Sequence, residues 1–472
     1  MNAPSYGDTD PIAAIATALG ESALALIRIS GEGALEMLGK VFSRPERLSG
    51  ARGNTVVHGW IIGAEGDRID DVLVAVYRAP ATFTGEDGAD ISCHGGISSA
   101  RKVMEALGHA GFREALRGEF SFRAFMNGKL DLTRAESIME IVAAKTGAAQ
   151  KNAVRRLSGA LEREIREIAA GITTALAGAE IYLDYSEDDG VGSGEHDRME
   201  AAGLLPDRQP AEKALERLRA LADSYRRERL YAQGALGVIA GRPNAGKSSL
   251  FNALAREDRS IVTDIPGTTR DWIEAWVSIE GIPVRLADTA GLRLSENPVE
   301  KLGVERSREL LAEADIVLYV LNGAEGIAEA DREFLSEHKE DKDAPPVLAL
   351  WNKADLSPPP PAPADLRPVS AKTGEGIAEL AREIAAVLEQ SLGGGDGRAG
   401  NTAGAGTERQ KALIDRAIAA LEEALALADR QEPLDLIAQE LREARNALGE
   451  ITGETSTAEL LDAMFGRFCV GK

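Results

Sequence analysis

Cysteine, long hydrophobic runs and an N-terminal basic segment are missing or scarce in this sequence. The chain has 2 cysteines, Cys93 and Cys469, far apart, which excludes a disulfide framework and a cysteine-rich zinc module and is typical of a reducing compartment. No apolar run approaches the length of a membrane span, and Asp8 and Asp10 precede the first basic residue, Arg28, so neither a membrane segment nor a secretory signal is expected. We therefore predict a cytoplasmic protein without a membrane partner.

Positive charge is also scarce. The chain has 54 Lys and Arg against 76 Asp and Glu, a net charge of −22, which disfavours bulk attraction to nucleic acid. An RNA contact would need a local basic patch. Two stretches offer basic residues, and both are equally well interpreted as solvated helix faces: Arg113, Arg117, Arg123 and Lys129 in the first, and Arg226, Arg227 and Arg229 in the second.

The 472 residues are enough for about three domains, and their patterns predict a multidomain α/β plus α protein. Residues 1–126 mix short β-branched runs with helical patterns, which indicates a mixed α/β domain. Strands are predicted over Leu24–Ile29, Thr55–Ile62 and Val72–Tyr77, and a helix over Ile97–Leu107. In Cys93 we expect a small buried residue.

From residue 127 the apolar spacing becomes helical. Thr133 and Glu136 have the spacing of a capping box, and apolar residues from Leu157 to Leu176 recur every three or four positions, which predicts one long amphipathic helix. An exposed acidic loop is predicted over 186–198 and a helix over 210–230. Helical stripes resume after a Gly/Ala-rich linker at 393–406.

Between 234 and 388, short buried strands alternate with helices, which predicts a mostly parallel sheet. The predicted strands are Leu236–Ala240, Ile273–Ile279, Val284–Ala287, Ile316–Leu321 and Val347–Trp351. The simplest organisation is an α/β domain at 234–388 inserted into a discontinuous helical domain, 127–230 and 389–472, because neither helical half is large enough to bury a core alone. Two independent helical regions are the alternative.

The segment Gly241–Ser248 fits the phosphate-binding pattern G-x-x-x-x-G-K-[ST], between a predicted strand and the helical run Ser249–Ala255. Backbone N–H groups and the helix N-terminus would hold the phosphates, and Lys247 would reach the β and γ oxygens. The hydroxyl of Ser248 is suited to Mg²⁺.

Four further motifs follow in the order of a GTP-binding domain. The sequence 267–270 offers a threonine hydroxyl for Mg²⁺, and 288–291 puts Asp288 near the metal and the Gly291 amide near the γ-phosphate. At 352–355, Asn-Lys-Ala-Asp offers a carboxylate that accepts hydrogen bonds from guanine N1–H and N2–H₂, and 370–372 would close around the base. Together the five elements predict a Ras-like P-loop GTPase domain.

Leu292 stands where a Ras-like protein has the glutamine that orients the attacking water. Leucine cannot orient water, so either hydrolysis is slow or another group does this. The residues alone leave Glu296 and Glu300 as candidates for the water, and Arg270 and Arg293 as candidates for an arginine finger in cis. Each is equally well interpreted as a surface side chain.

Several segments resemble the tRNA-modification GTPase MnmE (TrmE) family, from about residue 10 to the last residue. The segments that carry the resemblance are Gly-Arg-Pro-Asn-Ala-Gly-Lys-Ser-Ser at 241–249, Thr-Asp-Ile-Pro-Gly-Thr-Thr-Arg-Asp at 263–271, Phe-Cys-Val-Gly-Lys at 468–472, Arg-Ile-Ser-Gly at 28–31, Phe-Thr-Gly-Glu-Asp at 83–87 and Asn-Gly-Lys-Leu-Asp-Leu at 127–132.

This resemblance implies a homodimer whose N-terminal domain, 1–126, binds folate and forms the dimer contact. It further implies a heterotetramer with the flavoprotein MnmG, which installs an aminomethyl or carboxymethylaminomethyl group at carbon 5 of the wobble uridine of certain tRNAs. The one-carbon unit would come from 5,10-methylene- or 5-formyl-tetrahydrofolate. GTP hydrolysis would be activated when two G domains dimerise around K⁺. Direct contact between tRNA and this chain is left open.

The resemblance also assigns site residues. Asn244, Thr263, Ile265 and Thr268 match K⁺ ligands, and Ser248 and Thr269 match Mg²⁺ ligands. The catalytic set is Glu300, which would orient the water, with Asp288, Lys247 and Arg270. The predicted GTP contacts are Asn244, Ala245, Gly246, Lys247, Ser248, Ser249, Thr263, Asp264, Ile265, Pro266, Gly267, Thr268, Thr269, Asp288, Thr289, Ala290, Gly291, Asn352, Lys353, Ala354, Asp355, Ser370, Ala371 and Lys372.

Arg28, Glu86, Lys129 and Lys472 match the folate contacts, where cations suit the glutamate carboxylates of folate and a carboxylate suits the pterin N–H groups. Cys469 matches a thiol of the family whose chemical role is open. The main alternative is an RNA-binding GTPase of the ribosome-assembly type, and a second alternative is a scaffold that only signals its nucleotide state. Folate binding would exclude both.

Overall fold

The computed structural model describes residues 6, 9–188, 207–257, 274–288, 309–340, 344–361, 365–392 and 404–472. The chain forms two compact units, which we describe separately. The first comprises Met1–Ala135 and Gly449–Lys472, and the second comprises Glu136–Leu448. Within the described ranges no helix has the length and apolar character needed to cross a bilayer.

The first unit is built on a sheet whose six described strands have the order β3-β4-β5-β2-β1-β6. The strands are β1 (Ile12–Ile15), β2 (Ser22–Ser30), β3 (Thr55–Ile62), β4 (Arg68–Tyr77), β5 (Gly88–Gly95) and β6 (Arg113–Glu114). The helices are α1 (Ala34–Gly39), α2 (Pro45–Ser49), α3 (Ile97–Ala110), α4 (Glu119–Met126) and, near the C-terminus, α14 (Ala458–Phe465). All neighbours are antiparallel except β1 and β6, and the predicted strands and helix of this region are confirmed.

Alternation along the strands gives this sheet two different faces. Ile27 and Ile29 on β2 are buried in a core that includes Val103 on α3. The alternate residues face the other way, and Leu24 is 63%, Val56 64% and Leu73 49% exposed. One face is therefore covered by helices. The other is partly apolar and open at these three residues, whereas Ile12 and Ala14 of β1 are buried on it against Phe120 of α4.

The helices of the second unit come from both sides of the inserted segment. They are α5 (Leu132–Ala143), which begins in the first unit, α6 (Gly147–Leu157), α7 (Ala160–Asp188), α8 (Gln209–Gln233), α12 (Glu408–Asp429) and α13 (Leu434–Thr452), which ends in the first unit. Helix α8 packs against both α7 and α12. The two halves thus form one bundle, which favours the inserted-domain organisation.

Three local predictions in this bundle were wrong. The apolar stripe is divided between α6 and α7, because Gly159 adopts a left-handed φ of 82° that no helix continues through. Residues 186–188 belong to α7, whereas the rest of the predicted loop lies outside the described residues. The cap of α5 is Asp131, whose Oδ1 accepts from the Thr133 and Arg134 amides, and Glu136 instead pairs with Arg409 at 2.8 Å.

The inserted segment forms a second sheet with described order β12-β11-β10-β7-β9-β8. Its strands are β7 (Ala235–Ala240), β8 (Glu274–Ile279), β9 (Ile282–Asp288), β10 (Ile316–Asn322), β11 (Val347–Asn352) and β12 (Arg367–Val369), and its helices are α9 (Lys247–Glu257), α10 (Glu329–Glu340) and α11 (Ile377–Leu392). All neighbours are parallel except β8 and β9. The carboxyl ends of β7, β9 and β11 therefore meet at one edge, where doubly wound sheets bind ligands.

Candidate functional site

The phosphate-binding loop connects β7 to α9, and its conformation requires glycine at two positions. Gly241 has φ 137°, and a Cβ there would lie 2.3 Å from the Val320 carbonyl oxygen. Gly246 has φ 96°, and its Cβ would lie 2.2 Å from Asn352 Nδ2. The backbone of the loop thus packs directly against the neighbouring strands, which fixes where its N–H groups point.

Lys247 lies at the start of α9 with a side chain that is only 6% exposed. Its Nζ donates to the carbonyls of Gly241 and Arg242, at 2.8 Å each. The ammonium therefore lies over the loop, beside the N–H groups of a helix N-terminus. This combination of positive charge and backbone donors fits a phosphate group.

Beside this loop, the predicted Mg²⁺ ligand Ser248 meets Asp288, which is predicted to lie near the metal. Ser248 Oγ donates to Asp288 Oδ2 at 3.0 Å, although the residues come from α9 and from the end of β9. A hydroxyl and a carboxylate side by side are the oxygen ligands that suit Mg²⁺ bound with phosphate. The residues present thus fit the predicted ion.

The base-recognition motifs pack on the phosphate loop. Asn352 Nδ2 donates to the Ala245 carbonyl at 2.8 Å, and its Oδ1 accepts from the Ala371 amide at 3.1 Å. Asp355 Oδ1 accepts from Ser370 Oγ at 2.7 Å. The loops after β11 and β12 are therefore joined to each other and to the phosphate loop, and they leave the Asp355 carboxylate at an exposed position.

The remaining predicted residues of the nucleotide site lie outside the described residues, so their roles stay predictions. They are Thr263, Asp264, Ile265, Pro266, Gly267, Thr268, Thr269, Arg270, Thr289, Ala290, Gly291 and Glu300, together with Leu292, Arg293 and Glu296.

A separate cavity of about 210 Å³ lies in the first unit, and two predicted folate contacts, Arg28 and Glu86, line it. Glu86 Oε2 accepts from Ser30 Oγ at 2.8 Å and from Arg123 Nη1 at 3.2 Å. Arg28 Nη1 donates to the Gly471 carbonyl at 3.2 Å. The C-terminal segment therefore contacts a side chain that lines the cavity, although Gly471 and Lys472 are not among the described lining residues.

The other two predicted folate contacts, Lys472 and Lys129, are not among the described residues that line the cavity. Burial, together with the charge of Arg28, lowers the pKa of the Lys472 ammonium, so this side chain lies close to Arg28. Lys129 Nζ donates to the Pro80 carbonyl at 2.6 Å, and Lys129 is not among the cavity-lining residues of the described structure.

Two cavity residues, Asp90 and Tyr77, were missed from the sequence. Arg28 Nε donates to Asp90 Oδ1 at 2.9 Å, and Tyr77 Oη donates to Asp90 Oδ2 at 3.3 Å. Burial and the Asp90 charge raise the pKa of Tyr77. Arg28 and Asp90 are cross-strand partners on β2 and β5, so knowledge of the strand register would have identified the pair.

The two cysteines differ in their burial, and Cys93 is buried as predicted. Its side chain is 1% exposed, and burial raises the pKa of the thiol to about 11. Cys469 is exposed, and its carbonyl accepts from the Gly118 amide at 3.3 Å. This bond holds the backbone of the C-terminal segment on the first unit.

The first basic stretch is not a free cationic patch. Arg113 and Arg123 both donate to Oε1 of the fully buried Glu119, at 2.6 and 2.9 Å. The charges of these two arginines are therefore engaged inside the first unit, whereas Arg117 of the same stretch is exposed.

Two family models match the sequence: "GTP-binding protein TrmE N-terminus" over residues 11–129 and "MnmE helical domain" over residues 132–469. The tRNA modification GTPase MnmE of Treponema denticola is 41% identical, with 100% of both chains covered. That of Symbiobacterium thermophilum is 42% identical and covers 98% of this chain and 99% of its own. Among solved structures, the G domain of the FeoB iron transporter of T. maritima is 27% identical over 32% of this chain and 98% of its own, at a TM-score of 0.25 that supports no argument.

Proposed function

Because the chain belongs to the tRNA modification GTPase MnmE family, we propose that it is a K⁺-dependent GTPase that acts with the flavoprotein MnmG on the wobble uridine of certain tRNAs. The product would carry an aminomethyl or carboxymethylaminomethyl group at carbon 5, built from a folate-borne one-carbon unit. One observation supports this most strongly. The same chain combines a phosphate loop beside which Ser248 and Asp288 meet and a separate cavity lined by Arg28 and Glu86.

In the nucleotide site, each described residue has a distinct task. Lys247, which donates to two carbonyls of its own loop, would transfer these hydrogen bonds to the β and γ phosphates. Ser248 and Thr269 would hold Mg²⁺, which neutralises phosphate charge when bound, and Asp288 would lie beside the ion. Asp355 would accept hydrogen bonds from guanine. Asn352 would hold the phosphate loop and the loop after β12 in their relative positions.

For hydrolysis we propose that Glu300 orients the attacking water, because Leu292 cannot. Asn244, Thr263, Ile265 and Thr268 would bind K⁺, which would stabilise developing negative charge in the place of an arginine finger. Asn244 adopts φ 62°, a conformation that asparagine and glycine tolerate better than alanine does.

The test is GTP hydrolysis in K⁺ and in Na⁺ at equal ionic strength. The variant Asn244→Gly removes the side-chain amide without straining the backbone, so it should lose the K⁺ stimulation while still binding GTP. Asn244→Ala carries the additional strain and serves as the comparison. Equal wild-type rates in the two salts would refute the K⁺ mechanism and favour the assembly-factor or scaffold alternatives.

For the second site we propose 5,10-methylene- or 5-formyl-tetrahydrofolate as ligand, held by Arg28, Glu86, Lys129 and Lys472. The test is calorimetric binding of 5-formyl-tetrahydrofolate to two matched variants, Glu86→Gln and Asp87→Asn. Both carboxylates are paired with an arginine, Arg123 at 3.2 Å and Arg78 at 2.9 Å, but only Glu86 lines the cavity. Weaker binding in the first variant alone supports the proposal, and no binding by wild type would contradict it.

The proposed partners are a second copy of this chain, MnmG and tRNA, in the cytoplasm. Dimerisation would use the N-terminal domain, 1–126, whose open sheet face exposes Leu24, Val56 and Leu73. We keep 127–230 and 389–472 as the proposed helical domain and 234–388 as the G domain, although 127–135 and 449–472 belong to the first compact unit. Light scattering of Leu73→Lys against wild type tests the dimer contact, and an unchanged mass would exclude this face.

A further inference from the structure

We propose that Asp331, a residue outside every nucleotide-binding motif, positions the phosphate loop through Arg242. The inference rests on the proposed GTP site. It adds a residue that would act on this site indirectly, by holding a residue of the phosphate loop in place. Asp331 lies in the first turn of α10. It ends the segment 322–331, which runs from the last residue of β10 into this helix.

The Asp331 carboxylate is fully buried and is surrounded by donors. Arg242 Nε donates to Oδ2 at 2.9 Å and to Oδ1 at 3.1 Å. Tyr319 Oη donates to Oδ1 at 3.0 Å, and the Ala328 amide donates to Oδ2 at 2.9 Å. A buried carboxylate is stable only with such partners, so Arg242 is held strongly in place.

Arg242 is the second residue of the phosphate loop, and both its guanidinium and its backbone carbonyl are hydrogen-bonded. Its Nη2 donates to the Gly326 carbonyl at 3.1 Å, and its backbone carbonyl accepts from Lys247 Nζ at 2.8 Å. The guanidinium therefore points away from the phosphate-binding N–H groups. Its anchoring to the segment 322–331 sets the position of the backbone over which Lys247 lies.

The same segment supports the loop at a second point. Asn322 Nδ2 donates to the Asn244 carbonyl at 3.4 Å and to Glu325 Oε1 at 2.8 Å. Lys353 Nζ donates to the same Asn244 carbonyl at 3.0 Å. The residues on either side of Pro243 are thus both held from the β10–α10 side of the sheet.

Loss of the Asp331 charge should loosen the loop and speed nucleotide release. Asp331→Asn retains an oxygen for Tyr319 or Ala328 but leaves the Arg242 charge without its buried partner. The double variant Arg242→Met with Asp331→Asn removes both charges, so it avoids an unpaired buried charge and should fold. Glu383→Gln is the control, because Glu383 pairs with Arg367 at 2.7 Å in the same inserted segment, away from the phosphate loop.

The experiment measures the release rate of a fluorescent GDP analogue from each full-length variant, well below its unfolding temperature. The two Asp331 variants should release GDP about tenfold faster than wild type, the lower end of the loss known for groups that hold metal ligands in place. Glu383→Gln should stay within about twofold. Because this assay needs neither K⁺ activation nor hydrolysis, it decides the role of Asp331 even if the K⁺ mechanism fails.

Two results would overturn the proposal. One is a wild-type release rate in the double variant, since the phosphate loop would then keep its function without the ion pair, whatever the variant's Tm. The other is equally fast release from Glu383→Gln, which would show that any lost ion pair in the inserted segment has this effect. If Asp331→Asn does not fold, the GDP release rate of the double variant alone tests the proposal.

Discussion

Replacing Arg156 by methionine should destabilise the helical bundle by about 3–5 kcal/mol, the usual effect of removing one partner from a buried ion pair. Arg156 is 2% exposed. It donates to Glu140 Oε2 on α5, from Nη2 at 2.6 Å and Nε at 2.8 Å, and to Glu228 Oε2 on α8 at 2.7 Å. Methionine fills a similar volume, so the loss arises from the charge and hydrogen bonds.

The magnitude follows from what remains after the substitution. Two carboxylates would face each other with no cation between them. Burial already raises the pKa of Glu140 in spite of the Arg156 charge, and loss of that charge should raise it further. For domains of about 150–250 residues, 1 kcal/mol corresponds to roughly 2–4 °C in Tm, so the expected decrease is about 6–20 °C.

The matched control is Arg217→Met in the same bundle. Arg217 also pairs with two glutamates, Glu164 at 2.8 Å and Glu167 at 2.7 Å, but its side chain is 38% exposed. Solvent screening should limit the effect to at most about 1 kcal/mol. Thermal unfolding of both variants, followed by helical circular dichroism, makes the comparison, and equal losses would refute the argument from burial.

The pH dependence of Arg156→Met provides an independent check. A carboxyl whose pKa is raised in the folded state contributes stability below its unfolded pKa and loses it as the pH rises through the folded value. The Tm difference from wild type should therefore shrink when the pH is lowered from about 8 towards about 5.5. A constant difference would show that the orphaned carboxylates are not the cause.

Three further predictions concern single residues. Gly246→Ala should weaken GDP binding at least about tenfold in a fluorescence titration, because its Cβ would lie 2.2 Å from Asn352 Nδ2; unchanged affinity would contradict the loop geometry. A thiol reagent should modify exposed Cys469 but not buried Cys93 until denaturant is added, and early reaction of both would refute the burial. Although burial opposes its ionisation, hydrogen bonds from Ser99 and His94 lower the pKa of Asp70; this stability is present at neutral pH and lost as the pH falls through the folded pKa. Asp70→Asn should therefore cost about 1 kcal/mol near neutral pH and progressively less in acid, which urea unfolding across pH would measure.

Regular elements with a strong apolar period could be predicted from the sequence. Strand Thr55–Ile62 and the strands around the phosphate loop agree with the structure to within a residue or two, because their side chains alternate or are continuously buried. The phosphate-loop residues and Asn352 also lie together, since these motifs follow strands that end at one edge of a parallel sheet.

Features that depend on pairing between distant residues could not be predicted. The cap of α5 is Asp131, two residues before the predicted Thr133. Glu136 pairs instead with Arg409, which lies 273 residues later in the chain. The break at Gly159 could not be predicted from the apolar spacing. That spacing continues unchanged across a left-handed residue between two helices. The Arg28–Asp90 pair needed the register of β2 and β5.

The helical bundle and the nucleotide site are joined through α8, which leads directly into β7 and the phosphate loop. Gly234, between them, has φ 81°, and a Cβ there would lie 2.2 Å from the Pro283 carbonyl oxygen of β9. Tyr231 Oη donates to Glu389 Oε1 on α11 at 2.9 Å, which ties the exit of the inserted segment to its entry. Lys145 Nζ lies 4.6 Å from the ring centre of Trp276 on β8. The hairpin of β8 and β9 lies between 258–273, which hold the proposed K⁺ ligands and Thr269, and 289–308, which hold Glu300. Any displacement of this hairpin relative to α8 must therefore disturb contacts made by the bundle itself.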